Sequence, residues 1–170
     1  SEITKHRIPK DWQTLLFIDQ KKQGDLLSEF VHDSEVVIAS RMNAKERKQM
    51  FSEMAQGNIK RCIATNVYAQ GVTFPDLRVM VNTSGGGGSI SSIQKPGRLA
   101  QVIPGKTKGY LIDFMFECIS DPRDNPQNMV NPNNIMWTQV VSDCNARLRT
   151  YTKMGYDVEV IESVNELNLE

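Results

Sequence analysis

The sequence predicts an α/β domain built on a mostly parallel sheet with helices on both faces, three layers in all. Short apolar runs recur along the first two thirds of the 170 residues, at Leu15-Leu16-Phe17-Ile18, Val36-Val37-Ile38-Ala39, Lys60 to Thr65, Leu77 to Val81 and Tyr110 to Phe114. Each is near-continuous rather than alternating, as expected of a strand buried on both faces. Helical spacing fills several of the intervals, and strands alternating with helices call for parallel pairing and right-handed crossovers. Ligands of such sheets sit at the carboxyl ends of the strands, which singles out the loops after Ile18, Ala39, Thr65, Val81 and Phe114.

The elements follow in order. Residues 1–12 are polar, with Pro9 against a helix, and read as a lead-in or linker. Gly24 to Val31 has helical spacing at Leu26, Leu27 and Phe30. Asn43 with Glu46 three residues on is a capping-box pair. Met50, Phe51 and Met54 then form an apolar stripe, and Gly57 ends that helix. Residues 68–75 are too short and broken for a full helix. Ser89 to Val102 predicts a helix that begins or kinks at Pro96-Gly97. Residues 117–134 are an Asn/Pro-rich loop, with Pro122, Pro126 and Pro132 among five asparagines. A helix from Ile135 to Met154 follows, with Trp137, Val140, Val141, Cys144 and Leu148 on one side. Gly155 ends it, and Val158 to Ile161 is expected as a last strand. The division expected is therefore a domain over 13–116, the loop, and a segment over 135–170 packed on that same domain.

Composition narrows the function classes. Twenty Lys+Arg balance twenty Asp+Glu, so no global field draws the chain to nucleic acid. A local patch exists instead. No acid stands between Asp76 and Asp113, while Arg78, Lys95, Arg98, Lys106 and Lys108 do, beside a glycine run from Gly85 to Gly88. Cations next to exposed backbone N–H groups suit a polyanion. Cys62, Cys118 and Cys144 are odd in number and unpaired in spacing, against a disulfide framework or a cysteine-rich zinc site. With no 18-residue apolar span and no signal peptide, a soluble cytoplasmic protein without a membrane partner is expected. Ser1 in place of an initiator Met implies a piece of something longer.

Several motifs fail on context. Gly105-Lys106-Thr107 has phosphate-loop spacing, but a working loop follows a strand and opens a helix, and this one runs into a strand. Asp19 and Asp113 stand at or near strand ends without the second carboxylate or phosphate loop that nucleotide hydrolysis needs. His6 and His32 have no companions, no metal-ligating set is visible, and no nucleophilic triad presents itself.

Taken together, residues 12–115 resemble the second, C-terminal RecA-like domain of superfamily 2 helicases. Leu15 to Asp19 is similar to motif IV. Ala44-Lys45-Glu46-Arg47-Lys48-Gln49-Met50-Phe51, with Gly57 and the strand to Thr65, resembles the run that follows it. Ala64-Thr65-Asn66-Val67-Tyr68-Ala69-Gln70-Gly71-Val72-Thr73-Phe74-Pro75 is similar to motif V, and Gln94-Lys95-Pro96-Gly97-Arg98 to the start of motif VI. The tail, Asn145 to Tyr151 with Gly155-Tyr156, resembles phage-type branched-DNA helicases and their restriction-enzyme relatives.

The resemblance implies a RecA-like fold and a motor shared with an N-terminal RecA-like domain of the same protein, which would hold most of ATP and its Mg2+. Arg98 would be the catalytic arginine at the γ-phosphate, with Gln94, Lys95, Gly71, Thr73 and Gln101 along the nucleotide. Thr65, Asn66 and Arg41 would contact nucleic acid, DNA in preference to RNA. Two positions depart from the pattern. Gln101 stands where the family often has a second arginine, and Thr73 where it often has an acid. Lacking the Walker A and B motifs that the family's N-terminal domain supplies, the isolated chain is expected to be inactive alone. The alternative is a degenerate RecA-like domain kept as a binding module, and Gln101 is the residue that favours it.

Overall fold

The computed structural model describes residues 3, 7–30, 36–38, 42–65, 74–84, 97, 99, 103–116 and 135–169. Five strands form one sheet: β1 (Gln13–Ile18), β2 (Val36–Ile38), β3 (Arg61–Thr65), β4 (Leu77–Asn82) and β5 (Tyr110–Asp113). Their order is β2-β3-β1-β4-β5, and every pairing is parallel. The runs at β1, β3, β4 and β5 become strands whose side chains enter core on both faces. All six residues of β1 are buried.

Two apolar clusters occupy the two faces. Leu15, Phe17, Cys62, Ala64 and Met80 point to one, where Met50, Met54, Phe74 and Leu99 cover them. Leu16, Ile18, Ile63, Val79 and Val81 point to the other, with Ile8 and, at its margin, Trp12 and Leu27. Alternation along each strand produces this division. It is interrupted once. Gln13 pairs with Leu77 and Thr14 with Val79, so Arg78 is an additional residue in β4. This bulge puts Leu77 on the face of Met80 rather than that of Val79.

Helix α1 (Lys21–Phe30) lends Leu27 to the second face, and helix α2 (Ala44–Ala55) lends Met50 and Met54 to the first. The three layers expected from sequence are thus present. Helix α2 starts at the capping box: Asn43 Oδ1 accepts from the N–H groups of Lys45 and Glu46, and Glu46 accepts from the N–H of Asn43. It ends where Gly57 turns left-handed at φ +80, the N–H of Gly57 bonding Met54 O and that of Asn58 bonding Glu53 O. Gln13, fully buried in β1, donates to Met54 O at 2.6 Å and Ile59 O at 3.1 Å, tying the helix end to the sheet.

The chain divides into two compact units. One comprises residues 1–84, 94–113 and 159–170, the other 85–93 and 114–158. In the second, helix α3 (Ile135–Lys153) buries Cys144, Arg147 and Tyr151. Arg147 donates to Phe114 O at 3.1 Å. Tyr156 packs on Tyr151 with ring centroids 6.4 Å apart, and its N–H bonds Tyr151 O across the turn at Gly155.

Three expectations change. Residues 158–161 form no strand, and Val158 and Val160 are exposed. β-Branched residues favour extension, but a strand needs a ladder partner. The segment over 135–170 falls in two units, residues 135–158 in the second and 159–170 in the first. The lead-in contributes to the fold, because Ile8 is buried in the second cluster and Trp12 stacks on Tyr110 at 5.8 Å. The helix expected over 89–102 falls almost wholly outside the described residues; Gly97 is helical and exposed.

Candidate functional site

Parallel pairing places every strand's carboxyl end on one edge. Thr65 pairs with Ile18, Phe17 with Asn82, and Asn82 with Asp113. Three steps of about 4.8 Å therefore carry this row roughly 14 Å across β3, β1, β4 and β5. Thr65 is half-buried after four buried residues, at the point where β3 leaves the core. Beyond Ile18, Asp19 and Gln20 are exposed, and both of their N–H groups donate to Gln23 Oε1 at 2.9 Å, which shapes the turn into α1.

The exit of β4 is polar and buried. Ser84 donates to Asn82 Oδ1 at 2.6 Å, and Asn82 Nδ2 donates to Asp113 Oδ1 at 3.1 Å. Asn82 and Ser84 are buried, Asp113 half-buried. Thr83 donates through both its N–H and its hydroxyl to Phe17 O. A buried polar chain survives only when its members satisfy one another, and this one joins the ends of β1, β4 and β5. Sequence reasoning marked the loop after Val81 but missed these side chains. Their signal was Asn82-Thr83-Ser84, three hydrogen-bonding residues ending an apolar strand directly before the glycine run.

Of the site residues expected from sequence, Thr65 lies on this edge. Arg41, Asn66, Gly71, Thr73, Gln94, Lys95, Arg98 and Gln101 lie outside the described residues, as do His6, His32 and the run from Gly85 to Gly88. Their flanking anchors are described. Arg47 donates to Met42 O at 2.7 Å beside position 41. Phe74, buried and packed on Phe51 with ring centroids 5.7 Å apart, closes the segment that Thr65 opens. Leu99, next in chain to Arg98, is 5% exposed and inserts among Leu77, Met80 and Phe74. Gly109 lies against it so closely that an added Cβ would stand 2.7 Å from Leu99 Cβ and 2.8 Å from its carbonyl oxygen. That distance admits no side chain.

The cations seen in the sequence do not all reach this edge. Arg78 is the second residue of β4 and Lys106 precedes β5, so both stand at the amino edge. The Gly105-Lys106-Thr107 segment is a turn, with Lys106 N–H bonding Ile103 O at 3.0 Å, and it leads through 107–109 into β5 without a helix. Among the described residues no group of three or more His, Cys, Asp or Glu side chains could hold a metal ion.

Comparison with known proteins supplies the family. The model of the helicase conserved C-terminal domain matches residues 2–102, more than half of the chain. The chain belongs to that family. It is 26% identical over 117 residues to a protein named as helicase 22 of Sulfolobus islandicus filamentous virus, covering 67% of this chain and 21% of that protein. It thus spans about a fifth of the length of that curated relative. Among solved structures, the C-terminal domain of the DEAD-box protein Dbp5 superposes with a TM-score of 0.59 at 21% identity, over 87% of this chain and 72% of that one. S. cerevisiae Dbp5 bound to RNA and ADP BeF3 gives 0.51 at 22% identity, over 62% and 29%. The fold is that of the RecA-like C-terminal domain of superfamily 2 helicases. Among the described residues no helix is long and apolar enough to cross a membrane.

Proposed function

We propose that this chain is the second motor domain of an ATP-dependent helicase or translocase, with the carboxyl edge of the sheet turned to nucleotide and nucleic acid. The observation that carries the reading is the row Thr65, Asn82 and Asp113, which ends the strands in polar side chains where open α/β sheets bind ligands. Membership of the helicase C-terminal family supports it. In this reading the N-terminal RecA-like domain of the parent protein holds most of ATP and its Mg2+, as the resemblance to superfamily 2 helicases implies.

This chain's own residues then have limited tasks. Arg98 places a fixed guanidinium against charge developing on the γ-phosphate, in a motif VI that also includes Gln94 and Lys95. Leu99 anchors that motif in the core. Gly71 and Thr73 border the nucleotide in motif V. Thr65, Asn66 and Arg41 bind the sugar–phosphate backbone, a mode indifferent to base sequence. DNA is assigned over RNA on the tail from Asn145 to Tyr156, whose resemblance is to phage-type enzymes. Dbp5 was solved with RNA, so both strands belong in the test.

The experiment is ATP hydrolysis by the full-length parent with single-stranded DNA, with RNA and with neither. Arg98→Ala should lower the stimulated rate by roughly 10³-fold. Gln101→Arg should raise it if Gln101 holds the natural enzyme slow. A wild type with no hydrolysis above background would transfer the domain to the second reading, a binding module without catalysis. Gln101, a neutral amide where a second arginine is common, is what favours that reading.

A further inference from the structure

The amino edge of the sheet carries an arrangement that the motor reading does not use. Lys60 precedes β3, Asp76 and Arg78 stand at the start of β4, and Lys106 and Lys108 precede β5. Around the starts of β4 and β5 the cations Lys60, Arg78, Lys106 and Lys108 stand with the carboxylate of Asp76, and that carboxylate is already divided. Asp76 Oδ1 lies 3.4 Å from Arg78 Nε, and Asp76 Oδ2 lies 3.7 Å from Lys60 Nζ. Arg78 also donates to Gly105 O at 3.0 Å, and its guanidinium sits 5.5 Å from the centre of the Trp12 ring.

Among the described residues Lys106 finds no hydrogen-bond acceptor. The residue is 5% exposed, and its Nζ is buried with no hydrogen-bond partner. An ammonium has three donors to satisfy and is among the costliest groups a fold can desolvate unpaired. Burial pushes its pKa down; Asp76 opposes that shift and Arg78 adds to it. Yet the lysine does not belong to the deep core. Pro104, Gly105, Thr107 and Lys108 on either side of it are all exposed, so the turn is a thin cover. An anion of small size entering at this turn would meet one desolvated cation with others at its rim.

We propose that the amino edge of the sheet holds a site for a small oxyanion, a free phosphate or a terminal phosphate group, seated on Lys106 with Lys60 and Arg78 beside it around Asp76. The excess of positive charge suits a dianion over a single carboxylate. The site stands on the opposite edge from the row at Thr65, Asn82 and Asp113, and does not depend on the motor reading.

Thermal unfolding of the 170-residue chain tests this, with inorganic phosphate as the probe against chloride at equal ionic strength. With Kd near 1 mM, 10 mM phosphate should raise the wild-type midpoint by roughly 3–5 °C. Lys106→Met should unfold no lower than wild type without phosphate and show no response to it. Equilibrium dialysis of phosphate against Lys60→Gln, a change at the partly exposed rim, should show binding weakened severalfold, and serves if Lys106→Met does not fold. A 5′-phosphorylated oligonucleotide that competes, where its unphosphorylated form does not, identifies a terminal phosphate as a source. An equal phosphate response in wild type and Lys106→Met would mean an adventitious ion only. No response beyond that of chloride, or binding unchanged in Lys60→Gln, would overturn the proposal.

Discussion

At its carboxyl edge the sheet ends in neutral hydrogen-bonding side chains, Thr65, Asn82, Thr83 and Ser84, with Asp113 beside them; at its amino edge it begins in charge, with Lys60, Asp76, Arg78 and Lys106 around Trp12 and Tyr110. Among the described residues the edge assigned to the motor is mostly neutral, while Arg78 and Lys106, two of the cations grouped in the sequence, stand at the other edge. The difference shows that a run of cations along a chain is not a patch on a surface. A parallel strand carries the chain from one edge of the sheet to the other, so Arg78 and Asn82, four residues apart, stand at its opposite edges.

If the two edges are held by different forces, they should break differently. The largest stability effect is expected at the carboxyl edge. Asn82→Leu would leave Ser84 and Asp113 without the amide they share, in a buried setting, at a cost of about 3 kcal/mol. Urea unfolding should show this as a lower midpoint with an unchanged slope. A loss below about 1 kcal/mol would mean that solvent reaches the chain and that the edge is open.

At the amino edge Lys106 should act in the opposite sense. Its folded pKa lies below the ordinary value of 10.5 because burial disfavours the ammonium. The unfolded chain therefore binds the proton more tightly, and the contribution of this group to stability rises with pH through the window between the folded value and 10.5. Without phosphate, Lys106→Met should be about 1 kcal/mol more stable than wild type near neutral pH. That advantage should shrink as pH rises toward 10.5, measured as the difference between parallel unfolding curves. An advantage independent of pH would remove the charge from the explanation.

The smallest effect belongs to the rim. Lys60 pairs with Asp76 at 3.7 Å with both side chains about a third exposed. Lys60→Ala should change stability by less than about 0.5 kcal/mol. A larger loss would mean that the amino edge is held by its ion pairs, and the contrast between the edges would fail.

Much of this was legible in sequence because it rests on short-range rules. The capping box at Asn43 and Glu46 and the stop at Gly57 are settled within one turn of helix. The strands were visible because a strand covered on both faces reads as a near-continuous apolar run, as Leu15 to Ile18 does in β1. The candidate edge followed from the parallel pairing that such strands require. Not legible were the bulge at Arg78, which depends on how β4 registers against β1, and the burial of Lys106, which depends on the partners a turn meets when β5 joins β4. The tail failed for a related reason: Val158 to Ile161 has the composition of a strand but lacks the neighbouring ladder.

What the sequence by itself determined, then, is the five strands and the helices at 21–30, 44–55 and 135–153, with the family they belong to, all of which follow from residues close together in the chain. Only the tertiary structure decided which side chains share an edge. It joined Asn82 to Asp113, left Lys106 without an acceptor and set Leu99 against Gly109, because those outcomes depend on register and on contacts between residues ten to thirty-one positions apart.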